Sequence, residues 1–334
     1  MRILITGGAG YVGSHAAKTL HRAGFEPIVL DNLSAGHRRA VKWGPLIEAD
    51  LCDQLSLKRT LSEYNVSAAM HFAAYAYVGE SVRSPRRYFE NNVSNTLHLI
   101  HSLLDAGIQH FVFSSSCAVY GLPQSLPISE DHPKLPVSPY GESKLFIERV
   151  LKWYGQAYGL RWAALRYFNA AGADPDGELG ELHVPETHLI PRVIDAALGK
   201  LESVEIYGDD YPTKDGTAIR DYVHVSDLAE AHVSALQHLL SGGENFAANL
   251  GTGRGASVRE VITAVEKVSG ALIKATIAPR RPGDPAELVA DPIQAEKLLK
   301  WRPRVSSLED IVSSAWNWHR QESSGLRAAK HWQK

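Results

Sequence analysis

Seven residues, Gly7-Gly8-Ala9-Gly10-Tyr11-Val12-Gly13, constrain this chain more than any others. They follow directly on the run Arg2 to Thr6, which reads as a short buried strand. They open a stretch, Tyr11 to Ala23, in which Val12, Ala16, Leu20 and Ala23 recur at helical spacing before a Gly24 stop. The glycines permit a tight turn and close backbone approach, so the helix N-terminus can face a pyrophosphate. A glycine pattern alone is weak, since 27 glycines must fall somewhere in the chain. Its place between a strand and a helix is what gives it weight.

Asp31 closes the next predicted strand, Pro27 to Leu30, 18 residues past Gly13. An acid there accepts hydrogen bonds from the adenosine ribose hydroxyls and repels a 2′-phosphate, so NAD is expected in preference to NADP. Asp50, at the end of a third predicted strand, Leu46 to Ala49, is expected either at the adenine edge or as a turn residue. Further β-rich runs at Ala68 to Phe72, His110 to Ser114 and Trp162 to Tyr167 alternate with helical stretches. That alternation predicts a Rossmann-type, doubly wound parallel sheet covered on both faces.

The alternation loosens after about Asn169, at a loop rich in Gly, Asp and Pro from Gly172 to Gly180. Residues 1–170 are therefore expected to form a cofactor-binding domain, with sheet contributions from later segments, and residues 171–334 mainly a smaller mixed α/β substrate domain. In the second part helices are predicted over Leu189 to Leu198, Val225 to Leu240, Val258 to Val268 and Leu308 to Trp318, the last capped by Ser307. From Ser323 the chain is polar and is expected to fray.

At 334 residues the chain is long enough for two domains or one large α/β unit. Its 35 basic and 37 acidic side chains leave a formal charge of −2, which supplies no basic surface for nucleic acid or anionic membrane. A small-molecule partner is the expectation. Two cysteines, Cys52 and Cys117, cannot form a disulfide scaffold. No apolar stretch approaches the roughly 20 residues of a spanning helix, and a cytoplasmic protein is expected. His98 and His101 lie three apart on a predicted helix without a third ligand, and no metal is expected.

Ser138-Pro139-Tyr140-Gly141-Glu142-Ser143-Lys144 reads as a capped helix start that places Tyr140 and Lys144 on one face. A phenol ionises near pH 10, so proton abstraction near neutrality requires about three units, roughly 4 kcal/mol, in favour of phenolate. One cation at about 4 Å supplies around that much at an effective dielectric of about 20, and a nicotinamide ring adds a second positive charge, with desolvation opposing them. The run Ser114-Ser115-Ser116 closes the fifth strand at the carboxyl edge, where open α/β sheets bind ligands.

With these residues in place the sequence resembles the extended short-chain dehydrogenase/reductase family, and within it the UDP-glucose 4-epimerases (UDP-galactose 4-epimerases), along nearly all of its length. The resemblance is carried by Gly7 to His15, Asp31-Asn32-Leu33, His71-Phe72-Ala73-Ala74, the serine run with Tyr120-Gly121, Tyr140 to Lys144, Leu165 to Asn169 and Arg220 to Val225. It implies that Tyr140, assisted by Lys144, removes the proton of the sugar 4′-hydroxyl while C4 passes a hydride to NAD. Ser116 would bond the same oxygen. The 4-keto sugar would then rotate and be reduced on its other face.

The resemblance further implies NAD contacts from Gly7, Gly10, Tyr11, Val12, Gly13, Asp31, Asn32, Asp50, Leu51, Phe72, Ala73, Asn91, Ser114, Tyr140, Lys144 and Phe168. It places Ser116, Tyr140, Asn169, His188, Leu189, Tyr207, Arg220, Arg281 and Asp284 around the UDP-sugar, and implies a homodimer built from helices near residues 92–104 and 140–158. Two departures bear on affinity and substrate. Tyr75-Ala76-Tyr77 stands where many bacterial members carry a phosphate-contacting lysine. Leu288 occupies a position where a large aromatic excludes N-acetylated sugars, and His188 replaces a common asparagine. UDP-xylose/UDP-arabinose and UDP-N-acetylhexosamines are thus alternative substrates. A nucleotide-sugar 4,6-dehydratase and a non-catalytic NAD-binding regulator are the rival activities.

Overall fold

The computed structural model describes residues 1–281 and 283–325. Seven strands form one parallel sheet: β1 (Arg2–Thr6), β2 (Glu26–Asp31), β3 (Leu46–Glu48), β4 (Ala68–His71), β5 (His110–Ser116), β6 (Arg161–Tyr167) and β7 (Phe246–Leu250). Their spatial order is β7-β6-β5-β4-β1-β2-β3. The winding reverses between β1 and β4, and a ligand crevice opens at the carboxyl ends of strands at such a reversal. The doubly wound sheet expected from the alternation is therefore present. β5 runs two residues past the predicted Ser114, because Ser115 and Ser116 pair in register with Arg166 and Tyr167 of β6. β3 stops at Glu48, so Asp50 lies in the turn beyond the strand.

Helix α1 (Tyr11–Arg22) and helix α2 (Val225–Leu240) cover the same region of the sheet. Ala17 and Leu20 of α1 share a core with Leu228 and Leu236 of α2 and with Ile3, Ile5 and Val112 of the sheet. Each such side chain, fully buried, contributes about 1.5–3 kcal/mol relative to exposure. β7 and α2 come from beyond residue 170, so the division by chain order and the division in space do not coincide.

The remaining segments make a smaller mixed α/β layer. Val204–Tyr207 pairs in parallel with Ala275–Ala278, Asn169–Ala171 pairs with Tyr222–His224, and Ile219–Arg220 lies between Ala256–Ser257 and Glu287–Leu288. Its core joins Ile190, Val193, Val204, Ile206, Val261 and Ile311. The predicted Ser307 cap is formed, its hydroxyl accepting from the Asp310 amide, and the helix continues to Ser323. The fraying expected from Ser323 onward lies, from residue 326, outside the described residues. Among the described residues no helix is long and apolar enough to cross a membrane.

Candidate active site

The glycine turn is built for close approach. Gly7 has φ +74°, and a Cβ there would meet the Ala73 amide nitrogen at 2.5 Å. A Cβ on Gly13 would fall 2.2 Å from the Gly7 carbonyl oxygen, so a side chain at either position would push β1, β4 and α1 apart. Helix α1 starts at Tyr11 with Gly10 as its cap, no capping side chain and no acid in its first turn. Its first amides and the positive end of its dipole are left for an anion. Asp31 Oδ2 accepts from the Ala9 amide at 2.9 Å and Oδ1 from the Leu33 amide at 2.8 Å. Burial raises its pKa while those amides oppose the rise. Asn32 donates to Asp50 at 2.6 Å, and the Cys52 amide donates to Asp50 at 2.9 Å. Against the cost of partial burial, these bonds hold the Asp50 carboxyl below its usual range. Leu51 beside it is buried. Cradle, open helix end and strand-end acid fit a dinucleotide.

Phe72 and Ala73 leave β4 beside Gly7, and the Phe72 ring packs 4.7 Å from His232. Asn91 lies in a π-helical turn, Glu90–Ser94, a wider turn common at functional sites that sequence spacing does not reveal. Next to it, buried Asn92 clasps the backbone of Tyr75, its Oδ1 accepting from the Tyr75 amide and its Nδ2 donating to the Tyr75 carbonyl at 2.9 Å each, and donates to Ser143 Oγ at 3.2 Å. Tyr75-Ala76-Tyr77 is thereby tied to the helix carrying the tyrosine and lysine.

That helix, α3 (Pro139–Tyr158), begins as predicted, with Pro139 first and the Ser138 hydroxyl accepting from the Gly141 amide. Tyr140 and Lys144 are both buried against the end of β5. Lys144 Nζ donates to the Ser114 carbonyl at 2.8 Å, and lies 4.9 Å from the Phe113 ring and 5.8 Å from the Tyr140 ring. The Ser114 hydroxyl and Tyr167 Oη are 2.5 Å apart, and Ser116 accepts from the Ala118 amide. In the protein alone, the desolvation expected to oppose ionisation prevails. Burial pushes the Tyr140 pKa well up, with Tyr167 adding to it and Ser116 offsetting part. Burial likewise draws Lys144 down to about 7, against the pull of Glu148. Both groups are poised toward their neutral forms, so ionising the phenol needs further positive charge.

One turn beyond Lys144, Glu148 takes two hydrogen bonds from Arg166, at 2.8 and 2.5 Å, and one from Ser115 at 2.6 Å. Arg166 also donates to Tyr120, whose hydroxyl donates to Asn249 on β7. This buried network locks α3 to β5, β6 and β7, and sequence reading missed it. Cys117 is part-buried with its thiol pushed up to about 12 by desolvation, which leaves it a poor nucleophile.

On the other side of the crevice, Phe168 is buried and the Asn169 amide donates to the Asp221 carbonyl at 3.0 Å. Arg220 and Asp284 pair with each other at 2.5 Å. The Arg281 guanidinium stacks 3.9 Å above the Tyr207 ring. Leu189 opens the helix Leu189–Ala197. His188, which precedes it, faces Glu181. His98 and His101 make no metal cluster among the described residues, and His101 bonds Tyr154 at 2.8 Å. A cavity of about 770 Å³ flanks the glycine loop at Gly10, Tyr11 and His37 and extends to His183 and Trp318, away from Tyr140 and Lys144.

Comparison with known proteins agrees with this geometry. The model of the NAD dependent epimerase/dehydratase family matches residues 3–251. A UDP-glucose 4-epimerase of Rhizobium meliloti (strain 1021) is 50% identical over 323 residues, covering 97% of this chain and 98% of the relative. The crystal structure of UDP-glucose 4-epimerase from Brucella ovis in complex with NAD superposes with a TM-score of 0.93 at 51% identity, covering 95% of this chain and 97% of that one. The UDP-glucose-4-epimerase of Stenotrophomonas maltophila, solved with NAD and formylated UDP-arabinopyranose, gives 0.94 at 39% identity, covering 97% and 99%.

Proposed function

The chain belongs to the NAD dependent epimerase/dehydratase family, and we propose that Tyr140, Lys144 and Ser116 carry its chemistry. It is an NAD-dependent UDP-sugar 4-epimerase, an isomerase that interconverts UDP-glucose and UDP-galactose. The observation that supports the residue roles is the meeting of two elements: Lys144 Nζ is anchored 2.8 Å from the Ser114 carbonyl, one turn from Tyr140, at the sheet edge where the glycine cradle opens.

NAD, when bound, would supply the redox chemistry, accepting a hydride from sugar C4 and returning it, together with a positively charged ring in its oxidised form. Gly7, Gly10, Tyr11, Val12 and Gly13 would hold its pyrophosphate, with Asp31, Asn32, Asp50 and Leu51 toward the adenosine and Phe72, Ala73, Asn91, Ser114 and Phe168 along its length. Tyr140 Oη takes the proton of the 4′-hydroxyl and gives it back. Lys144, drawn down to about 7 by burial, gains charge at little cost near neutrality, and that charge favours phenolate. Ser116 Oγ orients the sugar oxygen. Arg220 and Arg281 suit the UDP diphosphate through their guanidinium geometry, with Asn169, Tyr207 and Asp284 lining the nucleotide and His188 and Leu189 near the sugar. No carboxylate stands in Ser115-Ser116-Cys117 to serve the elimination of water that a dehydratase performs.

Phe146 and Trp153 lie seven apart on α3 and are 46% and 67% exposed. An apolar stripe of this kind favours a homodimer packed through α3, which light scattering would detect as twice the chain mass. For the reaction, the purified protein incubated with UDP-galactose and followed by the anomeric proton signals should yield UDP-glucose without added NAD. A 4-keto-6-deoxy product, or no turnover, would overturn the assignment. Tyr140→Phe should lower turnover by about 10²–10⁴-fold while bound nucleotide and melting temperature stay near wild type; unimpaired turnover removes Tyr140 from the mechanism.

A further inference from the structure

We propose that Glu181, His183, Glu186 and His188 form a site for one divalent transition-metal ion of zinc type, apart from the Tyr140–Lys144 centre and bordering the sugar through His188. The four residues each offer one ligand atom, and these atoms all lie within 4.8 Å of one another. His183 Nδ1 is 3.0 Å from Glu181 Oε1 and 3.7 Å from Glu186 Oε2. His188 Nδ1 contacts Glu181 Oε1 and lies 3.7 Å from Glu186 Oε1. Metal bonds of about 2.0–2.1 Å at tetrahedral angles separate ligands by about 3.3 Å. The spacings of 3.0 and 3.7 Å bracket that value, and the closer His188–Glu181 contact would open as the ion enters.

Three further features point the same way. His183 Nδ1 is buried and has no hydrogen-bond partner, because its approach to Glu181 lacks hydrogen-bond alignment. Glu186 Oε1 already accepts from the amides of Thr187 and His188, at 2.7 and 2.8 Å, which fixes the carboxylate with Oε2 toward His183. The backbone carbonyl of Glu181 is held by Trp318 Nε1 at 3.2 Å. With both imidazoles deprotonated, as metal binding requires, two neutral nitrogens and two carboxylates balance a doubly charged cation, and imidazole with carboxylate is a ligand set that zinc takes. His183 also lines the 770 Å³ cavity, which supplies an entry path. The neighbouring acidic group Asp174, Asp176 and Glu178 is a different case: Lys18 Nζ sits 2.7–2.8 Å from all three and already neutralises it.

The test uses the full chain with its nucleotide bound, freed of metal by a chelator and dialysed. Zinc titrated calorimetrically should saturate at one equivalent per chain, and Co²⁺ should develop the intense visible absorption of tetrahedral coordination. His183→Ala and Glu186→Gln should each weaken zinc binding by more than the roughly 10–100-fold that even an outer partner of a ligand is worth. Glu186→Gln, which keeps side-chain volume, decides the matter if His183→Ala does not fold, with nucleotide content and circular dichroism as controls. Absence of saturable binding, an octahedral Co²⁺ spectrum, or unchanged affinity in the variants would overturn the proposal and leave the cluster as a set of carboxylate–imidazole ion pairs.

Discussion

Glu148→Gln tests whether the buried network behind α3 holds the reaction centre in place. Both partners are nearly sealed, with side chains 6% and 4% exposed for Glu148 and Arg166. The substitution leaves the guanidinium without a counter-charge and takes the charged acceptor from Ser115. Breaking one side of such a pair costs about 3–5 kcal/mol, because the remaining charge stays buried. At about 2–4 °C per kcal/mol for a large domain, the melting midpoint should fall by roughly 6–20 °C. Replacing both partners, as Glu148→Met with Arg166→Met, should recover most of the loss, since no charge is then stranded. The same change acts on Lys144, whose pKa burial draws down to about 7 while Glu148 draws it up. Without Glu148 it falls further, so the limb of the pH–rate profile that reports Lys144 moves to lower pH. Calorimetry and pH-dependent kinetics on single and double variants decide the point. A loss below about 1 kcal/mol, the scale of an exposed pair, together with an unmoved profile would refute the bracing role.

Gly13→Ala should yield protein depleted of nucleotide, since the added Cβ falls 2.2 Å from the Gly7 carbonyl; the absorbance ratio of the purified protein reports it, and full occupancy would contradict the cradle. His15 and His232, held near pKa 4, and His71, near 3, are depressed by burial, so the unfolded chain binds more protons below about pH 6.5. Their stabilisation is complete above that pH and is lost as pH falls toward 4, at up to about 4 kcal/mol per unit for three protons; denaturant midpoints rising on acidification from pH 6.5 to 5 would reverse the sign. Leu288→Trp should reduce turnover of UDP-N-acetylglucosamine more than that of UDP-galactose, and an equal effect on both would free residue 288 from substrate choice.

The parts of the site that could be read ahead are those whose logic is local. The glycine turn, Asp31 and the Tyr140/Lys144 pair owe their placement to neighbours within a few residues, and spacing on a strand or helix is enough to arrange them. What stayed hidden joins distant positions. Asn92 meets Ser143 and Tyr75, Glu148 meets Arg166, and Tyr120 reaches Asn249 across 129 residues. Arg220 and Asp284 were named individually, yet their mutual pairing depends on strand Ile219–Arg220 lying beside Glu287–Leu288. The ionisation of Tyr140 is legible only in part for the same reason: spacing supplies the nearby cation, but the depth of burial, which pushes the phenol up, is a property of the finished packing.

The return of the chain to the first sheet has an evolutionary corollary. With Phe246–Leu250 as its edge strand and Val225–Leu240 sharing a core with Leu20, the nucleotide half is no cassette that recombination can lift out whole. A hybrid that joined residues 1–170 to an unrelated second half would lack that edge strand and the helix that seals Ala17 and Leu20. Only exchange at paired junctions, sparing the segment from α2 through β7, leaves a sealed sheet. Sugar preference in such a protein therefore changes by altering individual side chains rather than by trading domains.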